Sequence, residues 1–280
     1  MEDFILQHES IINTVELSAL ILLVGLWEAF GKSREYSVSA LYRWLNNFSL
    51  LIIDNIVARV VVPVAAIGAA LAAVEMGWGV FNNIDLPVWL IFLLTIAILD
   101  INNYFQHWLM HRISALWRVH QIHHTDIDVD WSTAFRFHPG ESIFTLGLQT
   151  VVILAIGASP AAVAIYEVVF VVSAFFVHTN VVMPPRLERR IRALVITPDM
   201  HRIHHSIDIH EGNSNFGGIL SWWDRIFGTY CAHPQLNQID MLLGLAEYRD
   251  GKEQNLWWLF KLPFVQAKQS TQREFDITSN

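Results

Sequence analysis

Eight histidines fall into three spaced groups. The first pair reads His107-x3-His111, His120-x2-His123-His124 follows, and His201-x2-His204-His205 repeats that second spacing. With thirteen histidines in 280 residues, one H-x-x-H-H arises by chance about 0.03 times, so two are a signal. On a helix, residues three and four apart share a face. His107 and His111 therefore point the same way, and each H-x-x-H-H spreads three imidazoles over an arc of about 100°, enough to reach two adjacent metal ions. Neutral nitrogen donors in this number suit iron, zinc or copper rather than magnesium or calcium.

Other metal patterns are missing. The chain has no H-E-x-x-H, the zincin protease signature, and no E-x-x-H, the carboxylate-bridged di-iron signature of ferritin-like bundles. Acidic residues sit beside the clusters instead: Asp100, Asp126, Asp128, Asp130, Asp199, Asp208 and Glu211. Carboxylates so placed can accept the second N–H of a ligating imidazole, with Asp100, Asp126 and Asp199 as the candidates. The single cysteine, Cys231, excludes an internal disulfide framework and cysteine-based zinc or iron–sulfur sites, and is read as packing.

The elements that must position these groups are apolar. The chain is 53% hydrophobic and 16% charged, with a mean hydropathy of +0.37, where soluble domains carry about a quarter charged residues. This composition describes a membrane protein. A net charge of −8 argues against a nucleic-acid partner, which needs a basic face. The acidic start does not read as a signal peptide.

Spans are expected over about residues 11–31, 57–77 and 88–103, the last running directly into His107 and His111. A polar loop is expected from Lys32 to Asn47, with Glu28 near the interface. Apolar stretches 143–156 and 161–177, broken by Gly157, Ser159 and Pro160, form a hairpin that returns His178 to the side Glu141 left. Thr197-Pro198-Asp199 is a helix start, and LWWLFKLPF at 256–264 is an interfacial segment. The fold class is therefore all-α: an integral membrane bundle of about four to five spanning or hairpin helices under a helical cap that holds the di-metal site. One domain covers 1–265, with its core at 100–230, and 266–280 is a polar tail.

Charge orients the chain. With the N-terminus outside, all eighteen Lys and Arg lie on the cytoplasmic side or, for Arg59, near it. The histidine clusters and the C-terminus are thus expected to be cytoplasmic, in a bacterial inner membrane rather than the endoplasmic reticulum.

The three histidine groups at these intervals resemble the fatty acid hydroxylase / sterol desaturase superfamily. The likeness extends to Arg112, the LWRVHQIHH run, Ala134 through Pro139, Asn215-Phe216-Gly217 and Trp223 through Thr229. It implies an integral membrane enzyme with a di-iron centre that activates O2 against a lipid C–H bond. His107, His111, His120, His123, His124, His201, His204 and His205 would be iron ligands. His178 falls where the family often has another ligand, with Asn180 beside it; the histidine some members carry four residues on is Val182 here. His138 is a further candidate, whereas His210 and His233 default to surface roles.

The reaction so implied is hydroxylation or desaturation of a sterol, fatty acyl chain or related lipid, with two iron ions as cofactor and O2 as co-substrate. There is no G-x-G-x-x-G and no spare soluble domain for flavin or haem. Electrons are expected from a separate ferredoxin or cytochrome with its reductase. Two other classes stand beside this one: a bis-histidine membrane cytochrome, and a histidine-rich metal transporter or sensor.

Overall fold

The computed structural model describes residues 18–62 and 66–265. Helices α1 (Ser18–Gly31), α2 (Ala40–Val61), α3 (Ala66–Met76), α4 (Val88–Arg112), α5 (Ser114–His124), α6 (Pro139–Ile156) and α7 (Pro160–His178) come first. Five shorter helices follow: α8 (Pro185–Ile191), α9 (Pro198–His204), α10 (Ile209–Gly212), α11 (Trp222–Ile226) and α12 (Leu256–Lys261). Among the described residues there is no named strand, only isolated bridges such as Lys32 with Val181. His8 and the tail from 266 lie outside the described residues.

Among the described residues, four stretches are long and apolar enough to cross a membrane: Ala40–Asn82, which includes α2 and α3, then Val88–Arg112, Pro139–Ile156 and Pro160–His178. The hairpin is longer than the apolar stretches suggest. Pro139 at the first position and the His138 cap start α6 four residues early, and α7 continues to His178 itself. At 18 and 19 residues, each arm is about 27–29 Å long, close to the hydrocarbon thickness. Outward side chains stay apolar, as at Val60, Val88 and Val151, which are 77%, 81% and 60% exposed.

The hairpin packs on α3 and α4 through small residues. Ala66, Ala69 and Ala70 are buried against Leu99, Ile153, Val163 and Tyr166, and alanines let the helix axes approach closely. The turn before α4 meets the hairpin turn backbone to backbone: a Cβ on Gly79, at φ +86°, would lie 2.0 Å from the Gly157 nitrogen. Only glycine serves there.

Two expectations change. Much of the stretch expected as a polar loop is helical, and Arg43 is fully buried within α2. The reason is the run Asp126-x-Asp128-x-Asp130, which turns towards the α1–α2 connection rather than towards solvent. Arg43 donates to both oxygens of Asp126 at 3.0 Å and to Asp130 at 2.9 Å. Asp128 accepts from the backbone of Ser37 and Val38 at 2.8 Å. Glu28 is likewise buried instead of interfacial, accepting from the Asn180 nitrogen at 2.8 Å and the Trp131 nitrogen at 3.2 Å.

The segment at 256–264 is only half interfacial in character. Leu259 and Leu262 are fully buried with Leu50, Trp117 and Ile122, while Trp257 and Phe264 are 71% and 81% exposed. One face of α12 thus belongs to the core that supports α5.

Candidate metal centre

Four helices bring nine imidazoles together. α4 carries His107 and His111 in its last turns, α5 ends on His120, His123 and His124, α7 ends on His178, and α9 presents His201 and His204 with His205 as its cap. The local signals are those in the chain. Thr197 accepts from the Met200 nitrogen to start α9, and Arg136 closes α5 by donating to the Ile122 carbonyl at 2.8 Å and to Thr125 at 2.7 Å.

The rings sort into two adjacent groups: His107, His111, His120, His124 and His204 in one, and His123, His178, His201 and His205 in the other. Within each group the candidate ligand atoms all lie within 4.8 Å of one another. The two H-x-x-H-H runs divide in opposite senses. From α5 the first and last histidines join the five-membered group and the middle one joins the other. From α9 the middle one joins the five-membered group and the outer two the other. Two helices with the same spacing, facing each other across the gap, thereby link both groups.

The donor set fits metal ions. His107 and His204 each have Nδ1 on a backbone carbonyl, Phe216 at 2.9 Å and Ser214 at 2.8 Å. A carbonyl only accepts, so the ring proton is on Nδ1 and Nε2 keeps its lone pair. Both Nε2 atoms are buried without a hydrogen-bond partner. The same holds for the proton on His178, whose Nδ1 is 2.6 Å from the Ala174 carbonyl. Its Nε2 then sits 3.1 Å from that of His123 and 2.9 Å from that of His201. His201 and His205 are 3.2 Å apart, and His111 and His124 3.1 Å. Nitrogens about 2.0–2.1 Å from a shared ion stand about 2.9–3.4 Å from each other.

Electrostatics agree. Burial, reinforced by neighbouring imidazoles, holds His123, His124, His201, His204 and His205 well below the usual imidazole range. They are neutral at neutral pH, the form that binds a metal.

The groups that orient the rings are mostly not those expected. Asn213, Ser214 and Phe216 form a strap, with the Asn213 side-chain oxygen 3.3 Å from His111 Nδ1. Asn215 anchors the strap and Asp224 accepts from the Phe216 and Gly217 nitrogens at 2.7 and 2.9 Å. Glu141 Oε1 lies 2.8 Å from His120 Nδ1. Backbone carbonyls carry no sequence signal; the pattern Asn215-Phe216-Gly217 was the nearest one.

The four residues expected beside the ligands have other partners. Asp100 accepts from the Leu220 nitrogen and Trp223, and Asp126 from Arg43. Asp199 pairs with Arg202 at 3.0 Å, and Asn180 bonds Ser33 and Arg34. Each lies near a histidine in sequence, but its side chain is hydrogen-bonded to these other partners. His138 stands outside both groups, since its Nδ1 caps α6 by accepting from the Gly140 nitrogen at 3.0 Å. Cys231 is partly buried against Val129, Ile203, Met241 and Leu243, as packing requires.

Comparison with known proteins points the same way. The model of the fatty acid hydroxylase family matches residues 92–229. Alkylglycerol monooxygenase from Homo sapiens is 29% identical over 140 residues, 49% of this chain and 29% of that protein. Ornithine lipid hydroxylase OlsE from Rhizobium tropici is 31% identical over 151 residues, 53% of this chain and 44% of that protein. The matches thus span less than half the length of these relatives. No solved structure matches significantly. With the family match and these relatives set beside nine clustered histidines, residues 92–229 of this chain form a fatty acid hydroxylase domain.

Proposed function

We propose that the chain is a membrane-bound, O2-dependent di-iron enzyme that hydroxylates a C–H bond of a lipid. The observation that carries this reading is the pair of adjacent histidine groups, five and four rings, with buried Nε2 lone pairs and no competing partner at His107 and His204. When bound, two iron ions would supply the activation of O2 and the cleavage of the C–H bond. His107, His111, His120, His124 and His204 would hold one ion, and His123, His178, His201 and His205 the other. Hydroxylation is favoured over desaturation because the relatives are a monooxygenase and a hydroxylase by name.

The chain's own contribution is geometry and dryness. Phe216, Ser214 and Ala174 set the tautomers of three rings through their carbonyls, which leaves Nε2 as the donor atom in each. Burial of eight of the nine rings, and of the Nε2 atom of His107, keeps bulk water from the centre. The apolar spans beneath the cap suit a lipid that reaches the site from the bilayer. Electrons would come from a separate ferredoxin or cytochrome with its reductase. By the distribution of Lys and Arg the cap would face the cytoplasm, in a bacterial inner membrane.

The test is lipidomics of cells expressing the chain, with His123→Ala and His204→Ala as controls and iron measured in the purified protein. New hydroxylated lipid that disappears in both variants is expected. Iron-loaded protein that changes no lipid with reductant and O2, or variants that behave as the parent does, would overturn the proposal.

A further inference from the structure

The nine imidazoles are alike, but the support behind them is not. Four have a neutral oxygen on the ring nitrogen turned away from the centre: Phe216 behind His107, Ser214 behind His204, Asn213 behind His111 and Ala174 behind His178. In the four-membered group, His123, His201 and His205 have a buried Nδ1 with no hydrogen-bond partner at all. His120 alone, among the described residues, pairs with a carboxylate: Nδ1 is 2.8 Å from Glu141 Oε1, and both side chains are buried. The other carboxyl oxygen, Oε2, is also buried and accepts nothing.

A buried carboxylate with one oxygen unsatisfied is costly unless a cation compensates it. A cation held one ring away does so, and the carboxylate in turn enriches the Nε2 lone pair that meets the ion. Among the described residues, that coupling exists in one group only. We propose that Glu141 makes the two metal positions unequal, so that the five-histidine group fills first and more tightly and the four-histidine group fills second. This rests on the two-ion reading above. Glu141 is a positioning residue here, acting on the ion through His120.

The experiment uses the full chain in detergent, stripped of metal by chelator and titrated with Co2+, followed by its visible absorption. Two equivalents are expected, the first tighter; His204→Ala should remove the tight one and His205→Ala the weak one. Glu141→Gln keeps an accepting oxygen but removes the charge. It should weaken the tight constant by about 10- to 100-fold and leave the weak constant in place. If Glu141→Gln does not fold, infrared difference spectra of the parent protein decide: a carboxylate band should change with the first equivalent and stay constant through the second. An unchanged tight constant, equal weakening of both, or a band that follows the second equivalent would overturn the inference alone. Fewer than two equivalents in the parent protein would overturn the two-ion reading and this inference with it.

Discussion

Asn215 is where the strap can be loosened without touching a histidine. It is fully buried, and its φ of 54° is in the left-handed region. Its Nδ2 donates to the carbonyls of Met200 and Cys231 at 3.0 Å, and its Oδ1 accepts from the Cys231 nitrogen at 3.0 Å. Asn215→Ala removes three neutral hydrogen bonds, about 1 kcal/mol each. It also places alanine in a conformation that asparagine tolerates better, about 1 kcal/mol more. The expected loss is about 4 kcal/mol for alanine and about 3 kcal/mol for glycine, which avoids the backbone term. Among the described residues, the imidazole nitrogens that the strap supports by hydrogen bonds are those of His107, His111 and His204, all in the five-membered group. Thermal midpoints of the metal-free proteins at one scan rate should therefore fall in the order parent, Asn215→Gly, Asn215→Ala. Metal retained after chelator dialysis should fall by one ion rather than two. The reasoning is refuted if glycine restores the parent midpoint, which would leave the hydrogen bonds with no effect, or if both ions are lost together.

Arg43→Met strands Asp126 and Asp130 in a fully buried site and should cost about 3–5 kcal/mol at pH 7, read as a lowered thermal midpoint; adding Asp126→Asn and Asp130→Asn should recover most of it. The same pair predicts a pH dependence. Burial raises the Asp126 carboxyl, but Arg43 and Arg136 outweigh it and hold the group below its ordinary range. Its folded value being the lower one, this stability is present above about pH 4 and is lost as the pH falls further. Without Arg43 burial gains weight, so the gap between parent and Arg43→Met should be widest near neutral pH and narrow toward pH 4. A gap that widens in acid would refute this assignment. His138→Ala should leave the number of bound metal ions unchanged, because the ring caps α6 instead of joining either group; loss of an ion would return it to the ligand set.

The histidine boxes, the apolar spans at 88–103 and in the hairpin, and the start of α9 were legible in the chain because each is a local matter, whereas the span expected at 57–77 is divided between α2 and α3. A helical repeat of 3.6 residues decides which imidazoles share a face, and a run of apolar residues decides what can lie in a bilayer. Local spacing could not say which ring serves which ion. That depends on how α4, α5, α7 and α9 are rotated against one another, and the opposite division of the two H-x-x-H-H runs appears only once they face each other. Nor could it find the partners of the rings. Glu141 stands 21 residues from His120, and Phe216 stands 109 from His107. The acidic residues nearest the boxes in sequence went elsewhere: Asp126 and Asp130 neutralise an arginine 83 and 87 residues earlier. A buried charge takes the partner that tertiary packing brings within 3 Å, and position along the chain does not reveal which one that is.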